Sequence, residues 1–218
     1  MAKPVFPGVK LVPFDWDGMA FDNTRFIYEL NRRLVMERTG RDLGLIEWKS
    51  VNARCSNRIG FCREMKMNDS PEKITREFKL LYEEAYENTC ERDLPKLFYD
   101  TEETLSGLRS AGKRLGLLSS SHAAREEAVK FGVHNYFSFI KENVMDKEYA
   151  LRELRAGYGL GHDEIAYVDD NPLGIIAAKN AGVISIGKLG GYVLDRDVRA
   201  AKPDCVISDL SELLTVLR

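Results

Sequence analysis

The chain has 218 residues, 44% of them hydrophobic and 30% charged, with a formal net charge of −2. That balance fits a globular protein made of one large domain, or of one domain carrying an insertion, with a core that needs no cross-links. It excludes a strongly basic nucleic-acid surface, and the lack of any run of some eighteen apolar residues excludes a helical membrane span.

The opening stretch "MAKPVFPGVK" has no apolar core of a signal peptide, so a cytoplasmic location is expected. The first predicted strand runs from Lys10 to Phe14, although Pro13 within it cannot donate to a sheet ladder. From Asp22 to about Pro95 the rhythm is helical, in "DNTRFIYELNRRLVMERTG" and again in "SPEKITREFKLLYEEAYENTC". The second of these starts with a serine cap and a proline just inside it. No strand is predicted there, which reads as an all-helical insertion after the first strand.

From Thr101 onward short apolar runs alternate with amphipathic helices. The strands are "KRLGLLS", "NYFSFI", "EIAYVDD", "VISIG" and "CVIS", and "DLSELLTVLR" closes the chain as a helix. Such alternation implies βαβ units and a parallel sheet covered on both faces. The expected fold class is α/β, a doubly wound, Rossmann-like core with a helical insertion. The four cysteines, Cys55, Cys62, Cys90 and Cys205, show neither a CxxC pair nor zinc-type spacing and read as reduced thiols.

Three strand ends carry polar groups. The first ends in Asp15 and Asp17, the second in Ser119, Ser120 and Ser121, and the strand "IAYVDD" in Asp169 and Asp170. Ligands of a parallel α/β sheet bind outside the carboxyl ends of its strands. Clustered carboxylates call for a cation, and an oxygen-only donor set suits Mg²⁺. Serines ahead of a helix suit a phosphate, and Lys147, at a helix start, can neutralise remaining charge. Singly, each feature is ordinary: a turn, a cap, a solvated lysine. Their joint occurrence at successive strand ends is what points to a site.

With these residues in view the sequence resembles the haloacid dehalogenase superfamily, in particular members with a helical cap inserted after the first strand. The similarity covers essentially the whole chain. The family's DxDG loop is matched by Asp15-Trp16-Asp17-Gly18, its strand-ending Ser or Thr by Ser119, its lysine by Lys147, and its acidic pair by Asp169 and Asp170. Two departures stand out: Met19 follows the glycine where Thr or Val is usual, and Lys147 is not followed by Pro-x-Pro. Lys141 competes for the lysine role, but the shorter gap to Asp170 and the helix start favour Lys147.

The resemblance implies a core of residues 1–20 and 96–218 and a cap of residues 21–95. It implies an aspartyl-phosphate formed on Asp15, with Asp17 as general acid and base. Mg²⁺ would be held by Asp15, the Asp17 carbonyl and Asp170, with Asp169 a further ligand or a neighbour of one. Ser119 and Lys147 would hold phosphoryl oxygens, assisted by the backbone of Trp16 and Ser120. In the cap, "NARCSNRIGFCREM" is the expected substrate loop, and Arg54, Asn57 and Arg58 are its candidate readers. The implied partner is a small phosphorylated metabolite, and the implied assembly a monomer or homodimer. An aspartate at position 17 favours phosphate esters over haloacids. The absence of histidine between Gly18 and His122 leans away from a hexose phosphomutase. A receiver-like phospho-acceptor, the remaining alternative, needs neither the insertion nor Asp17.

Overall fold

The apolar runs become a parallel sheet whose strand ends meet at one edge. The computed structural model describes residues 3–218 apart from 56, 68, 91 and 92. In chain order the strands are β1 (Leu11–Phe14), β2 (Phe21–Asp22), β3 (Lys96–Leu97), β4 (Arg114–Leu118), β5 (Phe137–Lys141), β6 (Ala166–Asp169), β7 (Ile184–Lys188) and β8 (Cys205–Ile207). Six of them form one sheet in the order β5-β4-β1-β6-β7-β8, every pair parallel. The chain builds outward from β1 to β4 and β5, then crosses to β6 on β1's other side. The topological switch point therefore lies between β1 and β6, where a crevice opens at the carboxyl ends.

Alternation along each strand feeds two cores. Val12 and Phe14 of β1, Leu115 and Leu117 of β4 and Val168 of β6 pack with Leu105 and Leu108 of α5 (Thr101–Ser110), Ala124 and Ala128 of α6 (Ala124–Lys130) and Leu213 of α10 (Leu213–Val216). Leu11, Leu118 and Tyr167 face the other way, onto Ala150, Leu151 and Leu154 of α7 (Lys147–Gly157) and Ala178 of α8 (Pro172–Asn180). Each such leucine contributes about 1.5–3 kcal/mol by leaving water.

Pro13 is accommodated by a gap in the ladder. The Asp15 N–H donates to the Val168 carbonyl at 2.9 Å, so the nitrogen two residues earlier also faces β6. There the β1–β6 pairing thins to Phe14 opposite Val168, with Leu11 opposite Ile165 as an isolated bridge. On its other side Pro13 keeps register with Gly116 of β4.

Residues between β2 and β3 form α1 (Thr24–Thr39), α2 (Leu45–Asn52), α3 (Arg58–Glu64) and α4 (Pro71–Asn88). Their apolar faces make a cluster of their own, including Leu30, Leu34, Trp48, Phe61 and Phe78. Ser70 caps α4 by accepting from the Lys73 N–H, and α1 ends on Gly40 at φ 68°. One feature differs from the sequence expectation. The insertion is bracketed by short strands, β2 antiparallel to β3 with Phe21 opposite Leu97 and Asp22 opposite Lys96. Two residues a side are too few to leave a periodic signal. A further helix, α9 (Asp195–Ala200), follows a glycine-rich loop that the sequence pattern leaves unassigned. All four cysteines are free thiols, with only Cys90 exposed. Among the described residues no helix is long and apolar enough to cross a membrane.

Candidate active site

Asp15 leaves the end of β1 with its main chain tied to β6, which brings its carboxylate beside the end of β6. There Asp15, Asp169 and Asp170 each offer an oxygen, all within 4.8 Å of one another. Lys147, the first residue of α7, lies between them, 2.8 Å from Asp15 Oδ2 and 2.9 Å from Asp169 Oδ2. Asp146 fixes that position by capping α7 on the Tyr149 N–H. Lys141, the rival lysine, sits at the exposed end of β5, and its carbonyl accepts the Ser119 N–H.

Three buried acids around one ammonium leave excess negative charge. Burial, opposed by Lys147 and reinforced by Asp169, pushes the Asp15 carboxyl up to about 7. Burial together with Asp169 and Asp15 pushes Asp170 up to about 8. Lys147 is disfavoured by burial, but Asp15 and Asp169 outweigh this and hold it charged. A divalent cation with hard oxygen ligands fits this set: the oxygens converge, and the charge imbalance is of the right sign. Asp169 is the most committed of the three, with Oδ1 taking the Asn171 N–H at 2.7 Å and Oδ2 taking Lys147. Asp170 accepts the Tyr192 N–H at 2.5 Å. It lies against two glycines, since a Cβ on Gly18 or Gly191 would come within 2.6 or 1.9 Å of its Oδ2.

The side chain of Asp17 stands apart from the three. Its Oδ1 accepts from Asn23 Nδ2 at 2.6 Å, and it faces the cavity. Burial raises its carboxyl, while Asn23 and Arg58 pull it down. Ser119 is fully buried at the end of β4, its Oγ accepting the Ser121 N–H at 3.0 Å. The loop after it, Ser120 to His122, lines the cavity. Trp16 turns inward: its ring stacks on Phe21 and its Nε1 donates to Glu127 Oε2 at 2.7 Å.

Above these groups lies a cavity of about 920 Å³, walled by the inserted helices. Of the three candidate readers, Arg58 and Asn57 border it and Arg54 does not. Arg54 is exposed and held by Glu64 at 3.0 Å and the Ser50 carbonyl at 2.8 Å. Asn57 caps α3 through the Gly60 N–H. The Arg58 guanidinium lies 3.2 Å from the centre of the Phe78 ring, and among the described residues no carboxylate is paired with it. Burial lowers its pKa to about 10.

Sequence reasoning missed Glu127, Asn171 and Tyr192. Glu127 of α6 faces the cavity, takes Trp16 and Tyr82, and is pushed up to about 8 by burial and by Asp17. Asn171 caps α8 and also donates to the Asn52 carbonyl of the insertion at 3.0 Å. Tyr82 and Tyr86 of α4 pack against the apolar cluster of the insertion and also border the cavity. The pair Gly190-Gly191 after β7, at the same sheet edge, was the available signal for Tyr192.

The profile of the haloacid dehalogenase-like hydrolases matches residues 12–188, which take in Asp15, Asp17, Ser119, Lys147, Asp169 and Asp170 but not Tyr192. The chain belongs to the haloacid dehalogenase-like hydrolase family. Its curated relatives are phosphatases, and it is an enzyme of that kind. A phosphoglycolate phosphatase of Photorhabdus laumondii is 24% identical over 228 residues, covering 100% of this chain and 96% of the relative. One of Vibrio parahaemolyticus is 27% identical over 227 residues, covering 96% of each. Among solved structures, a predicted phosphoglycolate phosphatase from Haemophilus somnus superposes with TM-score 0.76 at 20% identity, over 96% of this chain and 98% of that one. A beta-phosphoglucomutase from Clostridium difficile gives 0.70 at 21%, over 94% and 93%. These two show that the haloacid dehalogenase fold is shared.

Proposed function

We propose that this protein is a Mg²⁺-dependent phosphatase that hydrolyses a small phosphorylated metabolite through an aspartyl-phosphate on Asp15. The observation that carries this is the convergence of Asp15, Asp169, Asp170 and Lys147 at the switch point, beneath a cavity that also takes in Asp17. Residues 21–95 are the cap, and residues 1–20 and 96–218 the core.

Asp15 attacks phosphorus with the oxygen not held by Lys147, and Lys147 neutralises charge on the transferring phosphoryl group. Ser119 and the Ser120 backbone flank the same group, with the Trp16 main chain on the other side. Asp17 gives a proton to the departing alkoxide, then takes one from the water that opens the aspartyl-phosphate. Asp15, Asp170 and the Asp17 carbonyl would hold Mg²⁺, with Asp169 keeping Lys147 in place. When bound, the ion offsets the repulsion between a carboxylate nucleophile and a phosphate dianion.

Arg58 reads an anionic group on the leaving side of the substrate. The relatives named for phosphoglycolate make 2-phosphoglycolate, whose leaving group carries a carboxylate, the first compound to test. The decisive experiment compares Asp15→Asn with Asp17→Asn in Mg²⁺, using 2-phosphoglycolate and p-nitrophenyl phosphate. Asp15→Asn abolishes turnover on both. Asp17→Asn retains slow phosphoryl transfer and accumulates a phosphorylated protein visible by mass spectrometry. Near-normal activity in Asp15→Asn sinks the mechanism.

A further inference from the structure

The loop after β7 links three parts of the molecule that the motifs leave separate. The Tyr192 N–H is on Asp170, and the Lys49 Nζ of α2 donates to the Gly191 carbonyl at 2.8 Å. The Tyr192 ring lies 5.3 Å from that of Trp48, within the apolar cluster of the insertion. Its hydroxyl reaches Asn23 Oδ1 at 2.8 Å, and Asn23 in turn reaches Asp17. We propose that Tyr192 is a positioning residue, orienting Asp17 through Asn23 and coupling that orientation to the docking of the inserted helices on the core. This rests on Asp17 being the acid of a phosphatase.

The chemistry of the amide carries the inference. An asparagine side chain has a donor end and an acceptor end of nearly equal shape. With the phenol donating to Oδ1, only Nδ2 is left to face Asp17, and the contact is attractive. Without the phenol the amide is free to turn, and its oxygen would then oppose a carboxylate. Asn23 is only 3% exposed, so water does not readily replace the lost partner. The carboxylate held through Oδ1 keeps its other oxygen for the proton. The same tyrosine senses the insertion through Trp48 and Lys49, so Asp17 is best aligned when those helices are docked.

Tyr192→Phe keeps the ring and the main-chain bond to Asp170 and removes only the hydroxyl. An alkoxide needs the proton of a general acid in order to leave; p-nitrophenolate does not. For Tyr192→Phe, aspartyl-phosphate formation in a single turnover should slow about 10–100-fold with 2-phosphoglycolate and less than about threefold with p-nitrophenyl phosphate, while hydrolysis of the aspartyl-phosphate, the same step for both, slows equally. Asn23→Ala should show the same selective loss, and the double variant should be no worse than the worse single one. If Tyr192→Phe does not fold, Asn23→Ala carries the same comparison. Equal losses in aspartyl-phosphate formation from both substrates, or none from the alkyl ester, overturn the role of Tyr192 and leave the phosphatase reading standing. A wild-type protein that turns over neither substrate overturns the phosphatase reading, and this inference with it.

Discussion

Asp15 and Arg58 face the same cavity but are held there in different ways. The floor is set by main chain: Asp15 follows a strand tied to β6, Asp169 ends β6, and Lys147 starts a capped helix. The wall is set by side chains on short helices, with Arg58 at the first position of α3 and resting on Phe78 of α4. Backbone register fixes a group to within a small tolerance, whereas packing between helices lets a side chain be exchanged without dismantling its support. The chemistry is therefore expected to reside in the floor and the choice of substrate in the wall.

The division breaks most visibly at Lys147. Lys147→Ala removes the ammonium shared by Asp15 and Asp169. It should lower kcat by about 10²–10³-fold, as the loss of one charge-stabilising donor typically does. Steady-state kinetics decide the matter: a change confined to KM would mean that the lysine only binds. Next in size is Arg58→Ala. A charged hydrogen bond contributes about 1.5–3 kcal/mol, so KM for 2-phosphoglycolate should rise about 10–100-fold. Turnover of p-nitrophenyl phosphate, which has no second anion, should barely move. An equal effect on both would place Arg58 with the floor.

The smallest effect concerns the floor alone. Asp15 and Asp170 have carboxyls raised from 3.8 to about 7 and about 8. Between those values the folded chain keeps protons that the unfolded chain has lost. Their contribution to stability is thus full below the unfolded value and disappears as pH rises through the folded ones. A metal must displace those protons. The gain in Tm on adding Mg²⁺ should therefore grow between about pH 5.5 and about pH 8, by a few degrees in a chain of this length. Thermal melts with and without Mg²⁺ at the two pH values test this. A gain independent of pH would move the ion away from these acids.

The same contrast governs what could be read from sequence. Asp15, Ser119, Lys147, Asp169 and Asp170 each occur where a hydrophobic rhythm stops or starts, so local pattern marks them. The sheet follows from the same rhythm. Arg54 and Arg58 sit four residues apart in one stretch and look alike on paper. Only the packing separates them, one drawn out to Glu64 and the other folded over Phe78. Asn23 and Tyr192 are 169 residues apart, and nothing in their surroundings advertises a shared hydrogen bond. Trp16 lies inside the first motif, yet its ring serves the core.

The short pairing of β2 with β3 has a mechanical consequence. Both crossings between sheet and inserted helices run through this two-stranded ribbon, braced where the Phe98 N–H and Thr101 Oγ1 meet the Ala20 carbonyl. Two chains laced side by side flex across their flat face far more readily than they twist. Any opening of the cavity must bend this ribbon, which makes β2 and β3 the expected hinge between Arg58 on the insertion and Asp17 on the core.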